Sequence, residues 1–160
     1  MTNNGYGPGT GPPPRRPSED ELVNMVATAG SGVLAVNTPD GHPHLSTMLY
    51  TWDPAERIAR FSTTAKRLKT RHLRRDPRSA LHVYGSGLFA FATAEGTAEL
   101  SDVSTEPGDA AGRELLASTS MPVDPGDEDA FLRQMVADER LVIRLRVTRL
   151  YGVVFDELVQ

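Results

Sequence analysis

The sequence predicts a mainly β fold, a small antiparallel barrel with peripheral helices, and three observations support that class. Six to seven segments show two-residue alternation or short apolar runs bounded by turn residues, as antiparallel strands do. Their order is helix, three strands, helix, two strands, a helical stretch and a final strand pair, which suits a closed barrel. The sequence has neither a βαβ rhythm nor a Gly-rich dinucleotide fingerprint, which argues against a Rossmann domain.

Composition sets the limits of the fold. The chain has 160 residues and a net charge of −4, and residues 1–17 are so rich in Gly and Pro that they predict a disordered tail before a domain at 18–160. The absence of cysteine excludes disulfides and thiolate metal sites. No apolar run reaches the roughly 18–20 residues of a membrane span, and the N-terminus lacks the apolar segment of a signal peptide. We therefore expect a soluble cytoplasmic protein.

The first elements are a capped helix and a hairpin. Ser18 followed by three acidic residues predicts a helix N-terminus, and Gly30 or Gly32 ends that helix. The apolar run 32–37 and the alternating run 42–52 flank the turn sequence TPDG, which predicts two paired strands. Leu45, Thr47, Leu49 and Thr51 fall on one face of the second strand.

The remaining elements follow from the same signals. A strand at 57–63 leads into a basic helix at 65–75, with Leu68 and Leu73 as its main apolar contacts and Asp76-Pro77 as its end. Strands are predicted at 79–84 and 88–100, helices near 106–118 and 127–138, and two last strands at 141–151 and 152–155. Small residues dominate 90–98, which indicates a tightly curved strand at a barrel corner.

The basic helix is the strongest indication of a ligand. Seven Lys and Arg residues fall within 66–78 against Asp76 alone, directly after the hydroxyl pair Thr63-Thr64. A strand that runs into hydroxyls and a helix N-terminus suits a phosphate, and each charge-assisted hydrogen bond there contributes about 1.5–3 kcal/mol. Two alternatives stay open, a solvated helix that happens to be Arg-rich and a nucleic-acid surface, although aromatic residues are sparse.

The sequence gives little support for catalysis by side chains. His42 and His44 share one face of a strand, but no second cluster of metal ligands is visible, so we predict no metal site. His82 lies in an apolar strand and is interpreted as a hydrogen-bonded core histidine. No Ser/His/Asp set, HExxH motif or P-loop can be assembled, so an enzyme of this sequence needs a cofactor for its chemistry.

Two segments carry a family resemblance. GVLAVNTPDGHPHLSTMLYTWD and RIARFSTTAKRLKTRHLRRDPRSALHVYG resemble the flavin-binding split β-barrel superfamily of pyridoxamine 5'-phosphate oxidase-like proteins, and more narrowly its branch that uses the deazaflavin F420. The resemblance covers residues 20–155. Its most specific stretch is FSTTAKRLKTRHLRRDPRSALHV, in which strand, hydroxyl pair, basic helix, Asp-Pro and next strand follow in order.

The resemblance implies a six-stranded split barrel that pairs as a homodimer, with two cofactor sites at the subunit interface. In the family, a phosphate-binding segment falls on 62–69 of this chain, the strand that lines the ring falls on 45–49, and the strand at 80–84 flanks the groove from one subunit or the other. With Arg67 added for its charge, the candidate cofactor-binding residues are Ser46, Thr47, Met48, Ser62, Thr63, Thr64, Lys66, Arg67 and Lys69.

The chain departs from the true pyridoxamine-phosphate oxidases. Those carry an adjacent Arg-Lys pair where this chain has Leu68-Lys69, and their C-terminal Arg/His substrate motif is missing from VTRLYGVVFDELVQ. We therefore do not expect oxidation of pyridoxine phosphates. The number of basic residues exceeds what the single phosphate of FMN needs, whereas F420 adds a phosphodiester and glutamate carboxylates that Arg67, Arg71, Arg74 or Arg75 could receive.

The leading expectation is an F420H2-dependent oxidoreductase that transfers a hydride to a small electron-poor organic substrate. The alternatives are an FMN-dependent oxidoreductase of the same fold and a non-catalytic protein that binds a flavin or a tetrapyrrole. The sequence does not identify the substrate or a catalytic residue. It also leaves open whether the acidic helical insertion at 102–139 caps the groove or only decorates the barrel.

Overall fold

The computed structural model describes Gly9 and residues 13–155. The strands of this part are β1 (Ser31–Asn37), β2 (Pro43–Leu49), β3 (Thr51–Asp53), β4 (Ile58–Thr64), β5 (Arg78–Gly85), β6 (Gly87–Leu100) and β7 (Arg140–Val154). The helices are α1 (Glu19–Ala29), α2 (Leu68–Arg75), α3 (Ala110–Ala117) and α4 (Glu128–Ala137), with a 3-10 turn at Pro125–Asp127. Within the described residues, no helix is long and apolar enough to span a membrane.

The seven strands of the described chain form one antiparallel sheet in the order β2-β1-β5-β6-β7-β4-β3. The sheet curls into a half-barrel, so that β2 at one edge approaches β4 near the other. The interior is filled by apolar side chains from most of the strands and from α1, among them Val26, Leu34, Phe61, Leu81 and Ile143, all at most 1 % exposed. The predicted mainly β, antiparallel class is therefore confirmed.

Helix α1 forms as its sequence predicts. Ser18 accepts a hydrogen bond from the Glu21 amide, and the Glu21 carboxylate accepts one from the Ser18 amide, which completes a capping box. Gly30 ends the helix at φ +67°, a conformation that costs glycine little. Leu22 and Val26 are buried against the sheet.

The predicted strand at 42–52 is wrong in one respect, because it is divided at Tyr50. Strand β2 pairs with β1, whereas β3 pairs with β4 at the opposite edge of the sheet. At the crossing, the Tyr50 amide donates to the Gly30 carbonyl at 3.1 Å, and the Tyr50 hydroxyl donates to the Val26 carbonyl. These two bonds hold the chain where it passes from one edge of the sheet to the other.

The prediction of two C-terminal strands, 141–151 and 152–155, is also wrong, because Arg140–Val154 forms one strand. Instead of breaking, β7 bends at a bulge: Glu95 pairs with Arg149 and Gly96 with Val147, which leaves Thr148 without a partner residue. Only glycine fits at position 96, since a Cβ atom there would lie 1.9 Å from the Arg146 carbonyl oxygen. The register shift at Glu95 and Gly96 falls within 90–98, the stretch for which the sequence predicts sharp curvature.

Helices α3 and α4 cover the outer face of the sheet near β7. Leu115, Met135 and Val142 form a second buried cluster with Phe131 packed against it. The Glu114 carboxylate accepts hydrogen bonds from Arg60 (Nε–Oε1, 3.2 Å) and from Arg144. The bond from Arg144, joined by the one from Arg60, lowers the pKa of Glu114 although burial opposes it.

The predicted disordered tail at 1–17 lies mostly outside the described residues. In the part that is described, Arg15 pairs with Val154 and Pro17 is buried. The Arg15 guanidinium also binds the Glu21 carboxylate through two bonds of 2.9 Å. Residues 156–160 of the predicted domain are likewise outside the described part.

Candidate functional site

A groove of about 360 Å³ lies where the edge strand β2 approaches β4. Its walls come from the end of β2 and Tyr50, from the outer face of β4, and from the α3–α4 segment. The lining residues are 47–50, Arg60, Ser62, Leu115, 118–121, Phe131, Met135 and Arg140. The insertion at 102–139 therefore lines the groove, which answers the question that the sequence left open.

The predicted ring-binding residues of β2 divide between two faces. Thr47 lines the groove from the outer face, whereas Met48, which also borders the groove, alternates with Thr47 and packs against the core. Ser46 pairs with the fully buried Leu34 across the β1–β2 ladder, so its side chain is on the inner side of the sheet. The Ser46 hydroxyl is buried there and has no hydrogen-bond partner among the residues that the structure describes. Any contact between Ser46 and a groove ligand would therefore use its backbone.

The hydroxyl residues of β4 divide in the same way. Ser62 is exposed in the groove and accepts a hydrogen bond from Arg140 (Nη1–Oγ, 3.0 Å). Thr63 alternates with Ser62 and is 4 % exposed, on the inner side with Phe61. The Thr64 carbonyl ends the strand and accepts bonds from the Arg67 amide and the Thr70 hydroxyl. Ser62 is the member of this trio whose side chain lines the groove.

Helix α2 begins three residues later than predicted, at Leu68. The Ala65 amide donates to the Glu139 carbonyl at 2.9 Å, and 64–67 closes as a turn. Leu68 is consequently on the first turn and 48 % exposed, which makes its predicted core role wrong, whereas Leu73 is buried as predicted. No side chain of the described part of the chain caps the helix, so its first amide groups have no acceptor of that kind there.

The cations around this end of α2 differ in their partners. Lys66 forms an ion pair with Glu139 (Nζ–Oε2, 2.7 Å) and is exposed. Lys69 is half-buried and, within the described residues, has no acidic partner. Burial, and then the positive charge of Arg67, lowers the pKa of Lys69. Arg67 at the N-cap position also lacks an ion pair in the described chain. This end of α2 therefore carries positive charge that no acidic side chain of the described residues balances.

Arg140 is a groove residue that the sequence interpretation missed. It is the first residue of β7 and pairs with Thr64 in the β4–β7 ladder. In the sequence it falls in the short link between the predicted helix at 127–138 and the predicted strand at 141–151, and no motif marks it. Arg140 comes directly after Glu139, which lies beyond the end of α4 and has φ +51°. A positive φ is uncommon at a residue other than glycine.

The histidines take structural positions. His82 forms a hydrogen bond with Thr93 (Nδ1–Oγ1, 3.0 Å), as the sequence interpretation expects. Its ring also contacts the rings of Tyr84 and Phe91. His44 packs against His72 of α2 with ring centroids 5.7 Å apart. Among the described residues, no group of three or more His, Cys, Asp or Glu side chains could hold a metal ion.

The structure thus combines an antiparallel half-barrel, a groove at its split and a basic helix that follows the groove-lining strand β4. The chain belongs to the pyridoxamine 5'-phosphate oxidase family, whose model matches residues 18–154. The resemblance found in the sequence is thereby confirmed at the level of the family.

Solved structures agree with this assignment. The chain is similar to the conserved hypothetical protein Rv2991 of Mycobacterium tuberculosis, at 26% identity and TM-score 0.66 over 89% of this chain and 88% of that one. It is also similar to an F420 reductase, at 23% identity and TM-score 0.59 over 84% and 97%. A FAD-binding protein of Mesorhizobium loti matches at 17% identity and TM-score 0.57 over 89% and 97%. The last two identities are low, so these matches show the fold alone.

Proposed function

We propose that this protein is an F420H2-dependent oxidoreductase that reduces a small electron-poor organic molecule. The proposal rests on an apolar groove at the split of the barrel with the exposed hydroxyl of Ser62 on its wall, and on the helix that follows the same strand, α2, whose Arg67 and Lys69 have no acidic partner among the described residues. The family assignment supports a flavin-type cofactor at this place. A structural neighbour described as an F420 reductase supports the deazaflavin.

The groove residues fit such a cofactor. The end of β2, from Thr47 to Leu49, offers a length of sheet for a flat ring, with the exposed side chains of Thr47 and Leu49 on its outer face, and Ser62 offers a hydroxyl beside it. Lys69 and the first amide groups of α2 suit a phosphate, because they combine a poorly solvated ammonium with the positive end of a helix. Arg67, Arg71 and Arg74 have no ion pair within the described residues, which favours a longer anionic tail over a single phosphate.

The bound deazaflavin would supply the hydride, and the protein would bind, orient and shield the reactants. Leu115, Phe131 and Met135 make the α3–α4 side of the groove apolar, so a substrate held there would be largely removed from water. In this proposal no side chain acts as an acid or base, and protons come from solvent.

We further propose that the protein is a homodimer whose second subunit closes the groove. Leu45, Leu49, Tyr84 and Tyr151 lie on the outer face of the sheet, opposite the buried Leu34 and Leu81, and are 39–59 % exposed. Leu49 also lines the groove, so a partner on this face would extend over the cofactor. Light scattering after gel filtration should give a dimer, and Tyr84→Lys should weaken it. A monomeric wild type would refute this part of the proposal.

Turnover tests the proposed reaction. Reduced F420 should be oxidised by the protein in the presence of quinones, nitroaromatics or enones, and reduced FMN should support a slower reaction. Faster turnover with reduced FMN than with reduced F420 would identify FMN, and not the deazaflavin, as the cofactor. A stable bound cofactor without turnover on any acceptor would instead favour a non-catalytic carrier.

A further inference from the structure

We propose that Arg140 and Ser62 form an oxyanion-binding subsite on the wall of the groove, for a phosphate or carboxylate attached to an apolar or aromatic body. This inference rests on the proposed function only in taking the groove as a ligand site. It concerns residues away from α2, since Arg140 belongs to β7 and Ser62 to β4.

The hydrogen bonds of Arg140 leave part of its guanidinium free. Its Nε is 3.4 Å from the Asp138 carboxylate, a long contact, and its Nη1 donates to the neutral hydroxyl of Ser62 at 3.0 Å. Its Nη2 has no hydrogen-bond partner in the part of the chain that the structure describes. A guanidinium presents five N–H donors in a planar fork, and such forks bind oxyanions through paired bonds.

The guanidinium groups of the neighbouring arginines face carboxylates. Arg60 and Arg144 both donate to Glu114, so that their charge is balanced by a carboxylate. Arg146 faces Glu99 at 3.6 Å. Arg140 is the groove-lining arginine whose terminal nitrogens bind no carboxylate among the described residues.

Ser62 completes the subsite. Its oxygen accepts the bond from Arg140, and its own O–H donates to no acceptor among the described residues. The hydroxyl and Nη2 could therefore donate to the same oxyanion. Leu115, Phe131 and Met135 on the opposite wall lower the local polarity, which strengthens an ionic hydrogen bond and suits an apolar ligand body.

The test uses two pairs of probes that differ in one anionic group. Full-length, cofactor-free protein is titrated by calorimetry with FMN and riboflavin, and with naphthoate and naphthamide. Arg140→Met removes the guanidinium and Arg140→Lys keeps the charge but not the fork. Arg146→Met removes a charge from the same strand outside the groove, and thermal unfolding of each variant checks its fold.

We expect Arg140→Met to weaken the anionic member of at least one pair by about tenfold or more, with the neutral member unchanged and Arg146→Met without effect. An effect on naphthoate identifies the oxyanion as that of a second ligand, whereas an effect on FMN would place the cofactor's phosphate at Arg140 instead of at Lys69. Equal changes within both pairs, no change, or no binding of any probe to the wild type would overturn the inference. The naphthoate arm involves no flavin, so it can succeed where deazaflavin binding fails.

Discussion

Lys69 offers the sharpest test of the phosphate site. In Lys69→Met, a side chain of similar length replaces the ammonium and carries no cost of burying charge, so we expect the fold to remain intact. A charge-assisted hydrogen bond to a phosphate contributes about 1.5–3 kcal/mol. The dissociation constants of F420 and FMN should therefore rise about 10- to 150-fold, measured by calorimetry.

The matched control is Arg74→Met, which removes the same charge from the last turn of α2, where Arg74 is exposed. For FMN, which has no glutamate tail for Arg74 to receive, we expect it to change affinity less than Lys69→Met, because only the long-range field of the helix is altered. Equal losses of affinity in the two variants would mean that only the net charge of α2 matters. No loss of affinity in either variant would contradict the proposed phosphate site.

The pH dependence gives a second readout of the same residue. Burial lowers the pKa of Lys69 below the ordinary value of 10.5, and phosphate binding requires the protonated ammonium. The affinity should therefore fall as the pH rises through this lowered pKa, before ordinary lysines titrate. In Lys69→Met this part of the pH profile should be absent.

Three further predictions concern the surroundings of the groove. Glu139→Gln frees Lys66 and should tighten FMN and F420 binding about two- to fivefold by calorimetry, since an exposed ion pair contributes about 0.2–1 kcal/mol; weaker binding would contradict this. Burial raises the pKa of Asp109, but hydrogen bonds from the amides of Gly112, Thr105 and Glu106 outweigh it and bring the pKa to about 2. The resulting stabilisation is complete above the ordinary pKa of 3.8 and lost as the pH falls towards 2, so urea unfolding of Asp109→Asn should show a flatter acid profile than the wild type. Gly96→Ala places a methyl group 1.9 Å from the Arg146 carbonyl oxygen and should lower the free energy of unfolding by about 3 kcal/mol or more, and a wild-type midpoint would show that the bulge can open.

The sequence predicts those parts of the fold whose causes are local. The capping box at Ser18 and Glu21 and the glycine at 30 are close in the chain, and α1 has the predicted start and end. The division at Tyr50 was missed because the alternating pattern continues through it. Its cause is a bond from the Tyr50 amide to Gly30, a contact between distant residues.

For the candidate site, too, the sequence predicts the features that have local causes and misses those that depend on distant residues. A basic helix after a hydroxyl strand was visible in the sequence, and α2 does carry the unbalanced cations. Lys66 pairs with Glu139, and the Ala65 amide bonds to the Glu139 carbonyl where α2 starts late. Both contacts depend on Glu139, which is distant in the sequence and comes close to α2 only in the folded chain. Arg140 was missed for the same reason, because its place in the groove comes from the β4–β7 register.

The most direct test of the account is a parallel titration of cofactor-free protein with F420 and FMN, followed by the emission of Trp52 and confirmed by calorimetry. The account predicts saturable binding of both with F420 the tighter ligand, because the arginines of α2 can receive its longer anionic tail. Tighter binding of FMN would contradict the choice of deazaflavin. Absence of binding by both would contradict the assignment of the groove as a cofactor site.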